Sequence, residues 1–291
     1  MKKLESESVA LSFWSPPYFV GKSYETEETY ESWQSTLSAV ISEHSRVLRP
    51  GGFMAINIAN IKCFSDDSIP RFQAMNLANQ RSKVTREMVL EAKSRFPELG
   101  RHELARLLGC SEQTVDRRLN GNNIRGGKYQ TETRVKLVGG SLESFAYSVG
   151  LYLYDHRVWR KDPAWRNSRW TKTSLRSVDE FEDLYIYWKP GQQIIDRSKL
   201  TDSEWKAWGS RAVWEIPSVK RNNDHPAKFP VELAGRIIRL FSDPGDLVLD
   251  PFVGSGTTGL AALRLGRRFV GIDKEIEYVR LARSRIEPVL I

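Results

Sequence analysis

The stretch Asp246-Leu-Val-Leu-Asp-Pro-Phe-Val-Gly-Ser-Gly-Thr-Thr-Gly259 constrains this chain more than any other. An apolar run ends in Asp250, a turn carries Gly254 and Gly256, and a helix-forming run starts at Thr257. Glycines in such a turn allow a tight reversal and close approach of the backbone to a ligand. About twenty residues on, Phe269 to Gly271 form a second apolar strand before Asp273, where an acidic residue is placed to meet ribose hydroxyls. Strand, turn, helix and strand in this order are the grammar of a parallel α/β sheet with a nucleoside crevice.

The turn also narrows the ligand. It lacks GxGxxG spacing, and it lacks the lysine of a phosphate-binding loop. Asp250 would set a carboxylate where a pyrophosphate should lie, and like charges repel. A cationic ligand carrying an adenosine fits better, and S-adenosylmethionine is such a ligand. Asp250, Pro251, Phe252, Gly254, Ser255, Gly256, Thr257 and Asp273 are the candidate cofactor residues.

The same grammar appears at the start of the chain. Val9 to Trp14 is a short apolar run ended by Ser15-Pro16-Pro17-Tyr18, because neither proline can donate to a strand ladder. Trp33 to Leu48 carries apolar residues at helical spacing, Arg49-Pro50-Gly51-Gly52 stops it, and Phe53 to Ala59 reads as a buried strand. Later, Tyr152 to Trp159 and Leu184 to Trp188 are expected strands. Val231 to Phe241 and Glu275 to Ile286 are expected helices.

Residues 61–136 break the pattern. The chain carries a net charge of +8, and from Arg81 to Lys136 there are 13 Lys and Arg against 7 Asp and Glu. A basic surplus concentrated in one segment suggests a polyanionic partner. Within it, Arg101 to Asn120 holds Ala105 for a close helix crossing, Gly109 for a turn, and Val115 to pack a second helix back. Leu104, Leu108 and Leu119 complete a small core. This spacing resembles helix–turn–helix modules, whose second helix enters the major groove. Gln113, Asp116, Arg117 and Asn120 are its outward candidates for DNA contact, followed by Arg125 and Lys128. Trp165, Arg166, Arg169, Trp170, Lys172 and Arg176 suit phosphate and base contact, although the tryptophans suit a core as well.

Ser15-Pro16-Pro17-Tyr18 together with Asp250 to Thr258 resembles the amino-methylating DNA methyltransferases, in the class whose catalytic motif precedes the cofactor motif. Arg46 to Gly52, Val158 to Lys161, Val213 to Pro217 and His225-Pro-Ala-Lys-Phe-Pro230 follow in the family's order. The resemblance implies a Rossmann-like sheet in circularly permuted motif order with an inserted helical DNA-binding module. Residues 1–60 would be the catalytic half, 61–136 the insert, and 137–291 the remainder with a target-recognition stretch at about 190–222. His225, Phe229 and Pro230 would join the cofactor site. Ser15 and the Pro16 carbonyl would accept hydrogen bonds from the target amine, with Pro17 fixing the backbone and Tyr18 facing a flipped base. Transfer would be a direct displacement without a covalent cysteine intermediate. Serine at position 15 resembles the cytosine-N4 branch, whereas the adenine-N6 branch usually carries aspartate. A rival of another class is a catalytically idle DNA-binding regulator.

The implied setting is a prokaryotic, cytoplasmic restriction-modification enzyme acting on double-stranded DNA, with a homodimer as its assembly state. Cys63 and Cys110 form no CxxC pair, so neither a disulfide framework nor a metal site is expected. No apolar run approaches about 18 residues, and Met1 to Ser8 lacks the apolar core of a signal peptide. Relatives usually carry a further strand with a Gly-Asp pair beside the cofactor adenine. The sequence offers no candidate for it.

Overall fold

Residue by residue, the computed structural model describes 1–19, 29–65, 83–120, 133–165, 168, 171, 175–219 and 228–289. These fall into two compact units. One comprises Met1–Ile61, Val135–Ala164 and Asp179–Ile291, and the other Lys62–Arg134 and Trp165–Val178.

The first unit is built on β1 (Val9–Trp14), whose six residues are all buried. A strand that reads as a continuous apolar run suits the centre of a sheet covered on both faces. Its parallel neighbours are β2 (Leu48–Ile58) on one side and β8 (Leu247–Asp250) on the other. Beyond β8 lies β9 (Arg268–Gly271), also parallel. Beyond β2, the strands β6 (Phe181–Trp188) and β5 (Tyr152–Arg160) run antiparallel in turn, and β7 (Val213–Glu215) pairs parallel with β5. The order is therefore β7-β5-β6-β2-β1-β8-β9. Among the described residues β9 is an edge, and no strand occupies the place the sequence left without a candidate.

Local chemistry sets these elements. Helix α1 (Tyr30–Val47) is capped by Thr29, whose hydroxyl accepts from the Ser32 amide at 3.1 Å, and it buries Trp33, Leu37, Ile41, His44 and Val47. Helix α5 (Gly139–Ser148) buries only Leu142 and Ala146. Helix α7 (Val231–Phe241) lays Leu233, Ala234, Ile237 and Ile238 on the sheet core, all fully buried. Each large apolar side chain so buried is worth about 1.5–3 kcal/mol. A short turn, α6 (Asp202–Glu204), precedes Trp208 and Trp214, which join the same core. The ladder between β1 and β2 shifts register beside Pro50-Gly51-Gly52. Gly51 takes φ +78°, and a Cβ there would meet the Gln192 carbonyl at 2.5 Å, so no larger residue fits this bulge.

The direction in which successive strands are added across the sheet reverses between β1 and β8. From β1 the path through α1 leads to β2, and from β8 the path through α8 (Thr257–Arg264) leads away to β9 and then α9 (Ile276–Ile286). Ligands of open α/β sheets bind beyond the carboxyl ends of the strands at such a switch point.

In the second unit, α2 (Arg86–Arg95), α3 (Arg101–Leu107) and α4 (Glu112–Asn120) enclose Val84, Val89, Ala92, Leu104, Ala105 and Val115. Gly109 turns the chain at φ +62°, while the Cys110 amide closes α3 on the Ala105 carbonyl at 2.9 Å. Strands β3 (Ile61–Ser65) and β4 (Thr133–Lys136) pair as a separate ribbon.

Candidate active site

Ser15 to Tyr18 leave the carboxyl end of β1, next to the end of β8, because Ser12 pairs with Leu249. The Trp33 indole donates to the Pro17 carbonyl at 2.7 Å, and no described residue donates to the Pro16 carbonyl. The chain then passes through Phe19 at φ +53°, a left-handed conformation that costs a non-glycine residue strain. This turn presents the Ser15 and Tyr18 hydroxyls to each other at 2.8 Å, with Ser15 donating.

Further groups hold that pair. The Tyr18 hydroxyl donates to Glu182 at 2.6 Å, and the Asn57 amide donates to the Tyr18 oxygen at 2.8 Å and to Glu182 at 2.6 Å. Lys161 donates to the other Glu182 oxygen at 2.7 Å and to Asp179 at 3.2 Å. Burial and the Glu182 charge push the Tyr18 phenol well above its ordinary pKa, so it keeps its proton. Burial works against the Lys161 cation, yet Glu182 and Asp179 outweigh it and hold that pKa above its usual value. The Asn57 side-chain oxygen is buried and has no partner among the described residues.

The glycine turn lies one strand away. Asp250 is buried and accepts from the Thr258 hydroxyl at 2.7 Å and the Phe252 amide at 3.0 Å. Burial raises its pKa to about 7, opposed by those two hydrogen bonds and reinforced by Asp273. Asp273 takes the Gly254 amide on one oxygen and the Glu275 amide on the other, each at 3.0 Å. The Val253 amide reaches the Ile272 carbonyl at 2.8 Å, and the Gly256 amide reaches the Val253 carbonyl at 2.7 Å. The amides of Phe252, Val253, Gly254 and Gly256 are thus spent internally. Gly256 takes φ +79°, and a Cβ there would lie 2.9 Å from the Ala282 Cα on α9, so the position requires glycine. Pro251, Ser255 and Thr257 are buried. The Phe252 ring packs on Trp14 at 5.3 Å, and the Trp14 indole N–H is buried without an acceptor among the described residues.

Of the other expected site residues, Phe229 packs on Phe13 at 5.1 Å and Pro230 caps α7. His225, Arg125 and Lys128 lie outside the described residues, as do Arg166, Arg169, Trp170 and Lys172. On α4, Gln113 and Asn120 are exposed and Arg117 is partly so. Asp116 is engaged on the surface, because Arg101 donates to it at 2.9 Å and Asn120 at 2.8 Å. Trp165 is exposed. Among the described residues no His, Cys, Asp and Glu group could hold a metal, and no helix is long and apolar enough to cross a membrane.

Sequence reasoning missed Asn57, Lys161 and Glu182 as site residues. The one available signal was the pairing of Lys161 with an acidic Glu182-Asp183 step at the mouth of an apolar strand.

Residues 9–284 match the family model described as N6_N4_Mtase, DNA methylase. The chain is similar to the type II methyltransferase M.BglI of Bacillus subtilis, with 55% identity over 291 residues, covering 100% of this chain and 84% of that protein. Its fold is similar to that of TTHA0409 from Thermus thermophilus complexed with S-adenosyl-L-methionine, with a TM-score of 0.62, 22% identity, and 99% and 89% of the two chains covered. It is also similar to that of the PvuII DNA methyltransferase (cytosine-N4-specific), with a TM-score of 0.57, 18% identity, and 99% and 86% covered.

Proposed function

The chain belongs to the N6/N4 DNA methylase family, and from that premise we propose that it methylates the exocyclic N4 of cytosine in duplex DNA. The observation that carries the cytosine assignment is Ser15. In the turn after β1 its hydroxyl gives its proton to Tyr18, which leaves neutral oxygen lone pairs where the resemblance sets the target amine.

The crevice fits S-adenosylmethionine. The turn amides are occupied within the turn, which disfavours a phosphate and leaves Asp250 and Asp273 as the local acidic groups. A carboxyl poised near neutrality gains by meeting a cation. Asp250, Phe252, Gly254 and Asp273 would hold the cofactor, with Phe229 and Pro230 at the flank. When bound, S-adenosylmethionine supplies an electrophilic methyl group on a sulfonium.

The chain's own residues do the rest. An exocyclic amine is a poor nucleophile because its lone pair is conjugated with the ring. The Ser15 oxygen and the Pro16 carbonyl accept its two hydrogens, which draws the nitrogen toward a tetrahedral geometry. Pro16 and Pro17 hold that carbonyl's direction, and the Tyr18 ring offers a face for an extruded base. Rate comes from orientation and electrostatics. Helix α4 would read the sequence through Gln113, Arg117 and Asn120, with Arg125 and Lys128 following it. The setting is a bacterial restriction-modification enzyme in the cytoplasm.

Methyl transfer from labelled cofactor to genomic DNA of a methylation-deficient host, followed by nucleoside mass spectrometry, tests this. N4-methylcytosine is the expected product, and Ser15→Ala should cost about 2–4 kcal/mol of transition-state stabilisation. N6-methyladenine as the sole product would move the chain to the other branch. A wild-type protein that binds DNA but transfers no label would make it a regulator.

A further inference from the structure

We propose that Glu182 is a positioning residue for methyl transfer: acting through Tyr18, it fixes the Ser15 hydroxyl as a hydrogen-bond acceptor toward the target amine. The inference rests on the reading that Ser15 meets that amine, and it holds for either base.

A serine hydroxyl has one proton and can face a substrate as donor or acceptor. Against an amine, only acceptance helps. What decides is where that proton is sent, and this fold decides it from the far end of a chain of hydrogen bonds. Glu182 lies on β6 and is 7% exposed. As a carboxylate it has only acceptors to offer, so the proton between it and the Tyr18 oxygen, 2.6 Å apart, belongs to Tyr18. With its single proton so committed, the Tyr18 oxygen can only accept from Ser15 and from the Asn57 amide, both at 2.8 Å. Ser15 is left with lone pairs alone on its open side. The Asn57 orientation is consistent, because turning its amide over would set an oxygen 2.6 Å from the carboxylate.

The far end is charge-compensated. Lys161 reaches one Glu182 oxygen, while Tyr18 and Asn57 share the other. Asp179 lies on the outer side of Lys161 at 3.2 Å, and Asp183 is engaged instead by His156 at 2.9 Å and Asn60 at 3.1 Å. Lys161 is therefore the cation that faces the Glu182 side chain in its buried setting. A buried salt bridge of this kind is weak evidence for stability, but here it sets orientation, since one Glu182 oxygen faces Lys161 and the other takes both Tyr18 and Asn57.

Glu182→Gln is nearly isosteric yet brings an NH2 group. That group can donate to Tyr18 and free the phenol proton to turn toward Ser15 or toward the Asn57 backbone carbonyl at 3.3 Å, so the direction of the Ser15 proton is no longer fixed. The single-turnover rate should fall about 100-fold, on the scale of one preorganised hydrogen-bonding group, while dissociation constants for DNA and S-adenosylmethionine stay within about twofold. In a Tyr18→Phe background the same substitution should add less than about twofold, because the relay is already cut. Lys161→Met removes the cation that faces Glu182 and should lower the single-turnover rate while leaving both dissociation constants unchanged. This variant carries the test if Glu182→Gln does not fold. A Glu182→Gln rate near wild type, multiplicative losses in the double variant, or a Lys161→Met rate matching wild type would each overturn the proposal. The wild-type product nucleoside reports separately on the base. N6-methyladenine there would refute the cytosine assignment and leave the rate ratios to judge Glu182.

Discussion

His44 should make the stability of this protein depend on pH between about 4 and 6.5. Its ring is fully buried on α1, stacked on Trp14 with centroids 5.7 Å apart. Nδ1 lies 2.7 Å from the Val40 carbonyl and must donate to it, and Nε2 lies 2.8 Å from the Ser12 hydroxyl. That hydroxyl is also 3.1 Å from the Leu249 carbonyl, and its one proton serves one of the two. A protonated ring would satisfy every acceptor, since Nε2 could donate to Ser12 and Ser12 to Leu249. Burial of a cation outweighs that gain and lowers the pKa from 6.5 to about 4. The folded state therefore binds the proton later than the unfolded state does. Stability is fully present above about pH 6.5 and is lost as pH falls toward 4, by about 3 kcal/mol in all and about 2 kcal/mol between about pH 7.5 and about pH 5.

Other groups titrate over the same range with both signs. Asp250, raised to about 7 by burial, gains a proton on folding and stabilises as pH falls. Glu204, held near 2 by Arg239, loses stability only at lower pH. The test is thus a difference of differences: denaturant unfolding of wild type and His44→Gln at about pH 7.5 and about pH 5. The gap between the two proteins should shrink by about 2 kcal/mol at the lower pH. A gap that does not change with pH would refute the argument and mean that the ring stays neutral, or charged, in both states.

Asp273→Ala should weaken S-adenosylmethionine binding by about 1–3 kcal/mol by calorimetry, because it removes a charged acceptor that also ties down the Gly254 amide; unchanged affinity would exclude it from the site. Arg117→Ala should cost about 1–3 kcal/mol and relax sequence preference if the residue meets a base edge, and should lower the salt slope by about 1 if it meets a phosphate. Binding with unaltered affinity, specificity and salt dependence would remove α4 as the reading helix.

Legibility in the sequence followed how strongly each local pattern decides its own structure. The β8 turn, α7 and α4 could be read because apolar spacing, glycine placement and caps all agree there. Helix α5 was invisible: it opens on Gly139-Gly140 and buries only two residues, and its contact with α1, such as Gln34 to Ser141 at 3.3 Å, is tertiary. Strand β7 has three residues and exists because β5 pairs with it. Glu182 escaped for a related reason. A charged residue just ahead of the apolar run at Leu184 looks like the end of a strand, and only the arrival of Tyr18, Asn57 and Lys161 turns it into an interior one. The tight turn at Gly256 was legible, whereas its close packing against Ala282 of α9 is a tertiary contact.

The proposed catalytic motif precedes the proposed cofactor motif in the chain, and the sheet makes that order immaterial. Two requirements bear on the chemistry: both motifs must leave the carboxyl edge, and they must leave it side by side. Parallel pairing of β1 with β8 meets both, although Ser12 and Leu249 stand 237 residues apart. The adjacency is then pinned at side-chain level. The Thr258 hydroxyl lies between the Asp250 carboxyl at 2.7 Å and the Phe13 carbonyl at 3.3 Å, so one residue of α8 touches both the end of β8 and the strand that leads into Ser15. Trp14 against Phe252 adds an apolar contact across the same seam. Because methyl transfer fails when reacting atoms are misplaced by about 1 Å, the register of β1 on β8 is the quantity that must be preserved, while the order in which the chain visits the two strands carries no energetic consequence for the reaction.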